Sequence, residues 1–257
     1  MRYAKGTLAV SASRDIPLLL QVRNSKFITH QQLFEMMQLA ASEYSRGSFN
    51  WRIQRLLESN YISTCDGHFG CGARVYRITR PGLLQLEKHG HFAAVLNSGT
   101  QHLPHICQGY HALELMAVHI ALARGNVLVS WQSDVETASS NTVSATPLEK
   151  DYDAVVGVWN NDKIARFALE YERTLKSARQ YEKIRHALEA ETKLGCILYL
   201  TAGEEIALHL ARELSGIPKR LAFVTCPAFR AGLLDTMVMT DTRNGEIPFR
   251  HLLRGIF

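Results

Sequence analysis

The sequence predicts a mixed α+β / α/β protein: a helix-rich N-terminal part with a short two-stranded element, then an α/β domain with a mixed central sheet. Three observations carry this. Asp151 to Lys183 (DYDAVVGVWNNDKIARFALEYERTLKSARQYEK) reads as strand, tight turn, strand and helix, because two runs rich in β-branched and aromatic residues flank Asn160-Asn161-Asp162. CILYLTA reads as a fully apolar strand and RLAFVTC as another strand, with a helical segment between them. Residues 14–90, by contrast, show mainly helical spacing.

With 257 residues, 46% hydrophobic and 21% charged, the chain has the composition of a soluble protein with one large or two smaller cores. No signal-peptide pattern opens it and no apolar run is long enough to span a bilayer, which argues against a membrane partner. Five scattered cysteines form no disulfide framework and point to a reducing cytoplasm. Residues 1–90 hold 12 Lys/Arg against 6 Asp/Glu, a balance of +6, whereas the rest of the chain balances at −1. A basic excess confined to one region points to a polyanionic partner bound there.

Residues 1–13 are an extended lead-in, followed by a first helix from Asp15 to about Asn24 with Pro17 in its first turn. Thr29 with Gln32 forms a capping box for a second helix, along which Leu33, Phe34, Met37 and Ala40/Ala41 recur at helical spacing. In SFNWRIQRLLESN the stripe Phe49, Ile53, Leu56 and Leu57 is expected inside, leaving Ser48, Asn50, Arg52 and Arg55 exposed. Ile62–Thr64 and Ala73–Thr79 read as two strands around the glycine-rich loop CDGHFGCG, and PGLLQLEKHG as a closing helix with Pro81 in its first turn. Cys65, His68 and Cys71 match no strong zinc spacing, so a glycine-rich tip is the simpler account of that loop. Three helices, a two-stranded wing and a helix are the order of a winged helix-turn-helix over residues 1–90. Ser48, Asn50, Arg52 and Arg55 would face the major groove, and Arg74 and Arg77 on the wing would hold the phosphate backbone.

Residues 91–110 read as a linker and 111–257 as the second domain. HALELMAVHIALARG is a helix with Leu113, Met116, Ala117 and Ile120 on its apolar face, and Glu114 is a weak candidate for an accessory acid. NVLVSWQSDVE is expected as a strand and TASSNTVSATPLEK as a polar loop. After the hairpin, Thr174 or Ser177 starts a helix to about Glu191. EEIALHLARELSG is a helix, and PAFRAGLLDTM is a last helix before a loose tail.

The chemistry is expected at the hairpin. A turn centred between Asn161 and Asp162 places Asp153 opposite Glu170, and strand alternation puts Glu172 on the face of Glu170. Arg166, Ala168, Glu170 and Glu172 then form a polar face, with Ala165, Phe167, Leu169 and Tyr171 opposite. Lys176 follows Glu172 by four residues, within reach if the chain has turned into its helix. Clustered carboxylates repel unless a cation or proton neutralises them, and a hard divalent metal suits three of them.

Glu114, Asp153, Glu170-Tyr171-Glu172 and Lys176, taken together, resemble the PD-(D/E)XK restriction-endonuclease-like core, with Glu172 standing where the lysine is usual and Lys176 supplying the charge instead. The YRITRPGLLQLEKHG ending is similar to the wing-to-helix exit of bacterial winged-helix regulators. Together, over residues 14–230, the two parts resemble conjugative relaxases of the MobC/TraX type and the related replication-relaxation proteins. That resemblance implies a site- and strand-specific nick at a transfer origin. Mg²⁺ or Mn²⁺ would sit on Asp153, Glu170 and Glu172, and Lys176 would orient water or neutralise charge. Double-stranded DNA would be the main partner, with accessory mobilisation or coupling proteins beside it, and a palindromic target would favour a homodimer. The alternative is a non-catalytic winged-helix regulator with a degenerate nuclease-like domain.

Overall fold

The computed structural model describes residues 10–65, 69, 72–97, 108–240 and 245–255. The chain divides into two compact units, Met1–Met116 and Ala117–Phe257. The expected linker, residues 91–110, falls within the span of the first. Among the described residues no helix is long and apolar enough to cross a membrane.

The first unit carries α1 (Asp15–Ser25), β1 (Ile28–Thr29), α2 (His30–Leu39), α3 (Arg46–Glu58), β2 (Ile62–Thr64), β3 (Val75–Ile78), α4 (Arg80–Lys88), α5 (Ala94–Asn97) and the start of α6 (Gly109–Arg124). β1, β3 and β2 form a three-stranded antiparallel sheet in that order. β1 is too short to show a period in the sequence, so only the other two strands are legible there. Local chemistry fixes the helix starts. The Thr29 hydroxyl accepts the Gln32 N–H, and the Gln32 side chain returns to the Thr29 N–H. Thr79 caps α4 by accepting the Gly82 N–H at 3.2 Å. Gly82 has no room for a side chain, because a Cβ there would lie 2.1 Å from the Tyr61 carbonyl oxygen. Beyond capping α2, Gln32 donates to the Leu113 carbonyl at 2.9 Å and so ties α2 to α6.

One expectation for α3 is overturned. Arg52 is not on the exposed side; its side chain is 5% exposed and sits between two buried carboxylates. Its Nη1 lies 3.2 Å from Asp15 Oδ1 and its Nη2 3.0 Å from Glu43 Oε2. Arg55 pairs with the other Asp15 oxygen, which also accepts the Ser11 N–H. Burial would raise the Glu43 carboxyl, but the hydrogen bond and charge of Arg52 hold it below its ordinary value. Arg46, Asn50, Trp51 and Gln54 of α3 are exposed, so of the four residues expected outside only Asn50 is fully so.

The second unit carries β4 (Leu128–Ser133), α7 (Asp134–Val143), β5 (Ala154–Asn160), β6 (Lys163–Glu172), α8 (Ala178–Ala190), β7 (Cys196–Thr201), α9 (Glu204–Glu213), β8 (Arg220–Thr225), α10 (Cys226–Gly232), a 3-10 turn (Leu233–Asp235), β9 (Met237–Thr240), β10 (Glu246–Pro248) and α11 (Phe249–Leu252). Its mixed seven-stranded sheet has the order β10-β9-β8-β7-β6-β5-β4, with β6, β7 and β8 parallel. Tyr181 and Leu188 of α8 and Ala207 and Leu210 of α9 pack on Val155, Ala168, Ile197 and Tyr199, so both helices cover one face. On the other, Phe249 stacks edge-on against Phe167 at 5.0 Å and Phe229 at 5.9 Å.

Two segments depart from expectation. Asp134–Val143 is a helix rather than strand end and polar loop. Its Thr, Ser and Asn residues are weak helix formers, but the Ser133/Glu136 capping box and buried Val135 and Thr137 hold it. The tail is not loose: β9 and β10 extend the sheet and α11 closes over it.

The buried ion pairs yield a prediction for the first unit. Removing one partner leaves an uncompensated buried charge, so Arg52→Ala should cost about 3–5 kcal/mol of stability. Urea denaturation would show it as a lower midpoint. An unchanged midpoint would mean that Arg52 is not part of the interior.

Candidate active site

Asn161 and Asp162 both have positive φ, 50° and 62°, as a two-residue type I′ turn requires. That turn pairs Asn160 with Lys163 and, at the far end, Ala154 with Leu169. One residue further back, Asp153 stands beside Glu170, and its Oδ2 accepts the Tyr171 N–H at 2.8 Å. In the parallel ladder on the other side, Glu170 is level with Tyr199 and Glu172 with Thr201. Asp153, Glu170 and Glu172 therefore gather near the carboxyl ends of the parallel strands, where open α/β sheets bind their ligands.

The face they occupy is more deeply covered than expected. Ala168 is fully buried, and Glu170 and Glu172 are 5% and 6% exposed, so this is no solvated strand edge. Two lysines neutralise the carboxylates. Lys176 pairs with Glu172, although it lies in the connector before α8 rather than on the helix. The Tyr181 hydroxyl accepts the Lys176 N–H at 3.1 Å and so sets the connector's path.

Lys150, absent from the sequence reading, places its Nζ 2.6 Å from Glu170 Oε2. Nothing in the sequence marked it, because it lies in a polar stretch expected to be plain loop. Glu170 Oε1 and the Tyr199 hydroxyl are buried with no hydrogen-bond partner among the described residues.

The electrostatics follow from burial. Loss of solvent pushes the Glu170 carboxyl up to about 7 against the pull of Lys150, and Asp153 and Glu172 add to the rise. Burial would lower the Lys150 ammonium, but Glu170, Asp153 and Glu172 more than offset it and hold it above its ordinary value. Burial, then the charges of Glu170 and Glu172, drive the Tyr199 phenol well above its usual range, so it stays protonated.

Among the described residues no group of three or more His, Cys, Asp and Glu is arranged to hold a metal ion as it stands. Two of the three carboxylates are instead ion-paired, Glu170 to Lys150 and Glu172 to Lys176. The three carboxylates are all-oxygen donors, the type a hard divalent cation takes, and Glu170 Oε1 is without a partner among the described residues.

Other candidates lie elsewhere. Glu114 belongs to the first unit, on α6. Tyr171 is buried. His119 is buried in the second unit, stacked on Trp131 at 4.3 Å, and burial drives its imidazole down to about 3, so it stays neutral. Cys65 is buried, while His68 and Cys71 lie outside the described residues.

In the first unit, Asn50 and Arg74 are exposed, and Arg77 is half-buried with its Nε 3.3 Å from the Ser63 hydroxyl. Ser48 is half-buried and its hydroxyl donates to Glu43 at 3.4 Å. Arg55 lies over the ring of exposed Trp51 at 4.8 Å. Trp51 and Arg46 are surface groups that sequence reasoning missed, because an apolar Trp on a helix reads as core.

Comparison of the chain with protein-family models, curated proteins and solved structures finds no significant match.

The Glu170 shift predicts how stability depends on pH. The folded carboxyl keeps its proton up to about 7, whereas an ordinary one loses it near 4.5. Between those values the folded state binds more protons, so stability falls as pH rises through the window. Glu170→Gln should remove that part of the decline in urea denaturation at about pH 5 and about pH 7. Equal slopes for variant and wild type would contradict the assignment.

Proposed function

We propose that the protein is a metal-dependent, site- and strand-specific DNA-nicking endonuclease: a winged-helix reader followed by a restriction-endonuclease-like core. The observation that carries the reading is the second unit's cluster, in which Asp153, buried Glu170 and Glu172 gather near the carboxyl ends of the parallel strands with Lys150 and Lys176. Burying like charges is costly, and a chain that retains them beside the ends of parallel strands has a use for them.

Asp153, Glu170 and Glu172 would hold Mg²⁺ or Mn²⁺, which when bound lowers the pKa of water and offsets charge on a phosphate. The chain's own contribution is placement. The β5–β6 register brings Asp153 to Glu170, and the Tyr171 N–H orients the Asp153 carboxylate. Tyr181 steers Lys176, whose ammonium is available to an anionic oxygen once it leaves Glu172. The surrounding core keeps bulk water from these charges and so strengthens them. The relaxase reading, with a transfer origin as substrate and mobilisation or coupling proteins as partners, rests on the resemblance of the motifs.

The first unit supports the reader role through its basic excess and its order of elements. Its candidate DNA face is Arg46, Asn50, Trp51 and Arg55 on α3 with Arg74 just before β3 and Arg77 on it; Arg52 is spent in the interior. The alternative reading, a regulator without catalysis, is favoured by the ion pairs that already hold one oxygen each of Glu170 and Glu172.

Supercoiled plasmid carrying candidate origin DNA, incubated with MnCl₂, separates the two. Wild type should yield relaxed circles and Glu170→Gln should lower the rate by about a hundredfold or more, the scale on which loss of a charge-stabilising group acts. Equal relaxation by wild type and variant would contradict the site. Arg74→Ala should weaken duplex binding across sequences and reduce the salt slope by about 1. An unchanged slope would move the DNA surface elsewhere.

A further inference from the structure

The arginines of the first unit fall into two groups. Arg52 and Arg55 of α3 meet the buried carboxylate of Asp15. Arg46, at the start of the same helix, meets no acid among the described residues; it is held by the Gln31 side chain and lies 4.3 Å over the ring of Phe34. Arg74, just before β3, is exposed and likewise pairs with no carboxylate among the described residues. Both charges act on His30, the first residue of α2, whose N–H donates to the Arg74 carbonyl at 2.9 Å. The His30 ring is held at both nitrogens, with Nδ1 2.8 Å from the Tyr76 hydroxyl and Nε2 3.0 Å from Asn50 Oδ1. Phe49 packs edge-on against it at 5.0 Å. Tyr76 is fully buried and Asn50 exposed, so this hydrogen-bonded chain runs from the core to the surface between the arginines.

We propose that His30, Arg46, Asn50 and Arg74 form a proton-linked seat for one backbone phosphate of duplex DNA, which grips more tightly when His30 is protonated. The inference rests on the reading of the first unit as a DNA reader. Cationic groups gathered without an acid repel one another, and an anion relieves that repulsion. Arg46, Arg74 and the Asn50 amide N–H groups would meet the phosphate oxygens, and the His30 charge would act on them from behind Asn50. Its ring can take a second proton in place, because the Tyr76 hydroxyl and Asn50 Oδ1 can both accept from it. The charges that face the ring are Arg46 of α3 and Arg74, and Tyr76 of β3 adds none because burial keeps its phenol protonated. Burial holds the His30 imidazole below its ordinary value, the bond to Asn50 works against this, and the two arginines add to it. A phosphate favours the imidazolium, so His30 keeps its proton to a higher pH in the complex than in the free protein. Between those two values binding takes up a proton, and affinity rises as pH falls. His30 is thus a positioning residue that orients the Asn50 amide and, once protonated, adds a charge.

The test is fluorescence anisotropy of a labelled mixed-sequence DNA duplex with the full chain, wild type and His30→Gln, at fixed salt and at about pH 8 and about pH 5. Glutamine keeps a hydrogen-bond donor for Asn50 but cannot gain a charge. Between the two pH values the affinity of wild type should rise about tenfold more than that of the variant, one unit of displaced pKa being a factor of ten. An equal rise in both proteins overturns the inference and leaves the reader role standing. No binding by wild type at either pH overturns the reader role and the inference with it.

Should His30→Gln fail to fold, wild type alone decides. In histidine ring NMR, His30 is recognised by its proximity to the Phe49 and Tyr76 rings. Its titration midpoint should lie about one unit higher with the duplex than without it. A His30 midpoint that the bound duplex does not move overturns the proposal.

Discussion

The register of β5 against β6 is the constraint on which the second unit depends. Two left-handed residues, Asn161 and Asp162, close the hairpin in the turn type whose twist suits its strands. Every pairing down the ladder then follows, ending with Asp153 beside Glu170. A slip of one residue would send Glu170 to the opposite face, towards Phe229 and Phe249. The same register sets where the chain leaves β6, and hence where Lys176 comes round to Glu172.

Given that geometry, the chain has to make three carboxylates tolerable in a covered place. It uses two devices. One is local: a connector steered by Tyr181 brings Lys176 onto a glutamate four residues earlier. The other is long-range: a loop fastened to α7 and to the residues after α8 brings Lys150 onto Glu170. Neither quite balances the site. Burial still pushes Glu170 up to about 7, and one of its oxygens is left unspent. An imbalance retained in a packed interior is the physical basis of the functional reading, since buried groups with shifted protonation cluster where chemistry is done. The first unit offers a contrast. There Asp15 and Glu43 are matched closely by Arg52, Arg55 and Arg14, and the pairs hold helices together.

Much of this was legible in the residues, and the exceptions have physical causes. The hairpin and its turn could be read because turn chemistry and strand alternation are local. So could the capping box of α2 and the apolar strands β7 and β8. Arg52 was misread because helical spacing alone cannot tell an exposed arginine from one drawn inward by acids far along the chain, at Asp15 and Glu43. The helix Asp134–Val143 was missed because its composition disfavours helix, and only the Ser133/Glu136 pair signalled it. Lys150 was invisible for a related reason: its partner is twenty residues away and its placement depends on that unexpected helix. Sequence periodicity reports faces, while charge pairing is decided by the tertiary fold.

The central proposal is that the strand ends bearing Asp153, Glu170 and Glu172 form a divalent-cation site. The most direct measurement is a crystal structure of the protein grown with MnCl₂, read from the anomalous scattering of manganese. The account predicts a manganese peak bound to Asp153 and Glu170. A manganese peak bound only elsewhere, or no manganese peak in crystals saturated with Mn²⁺, would contradict it.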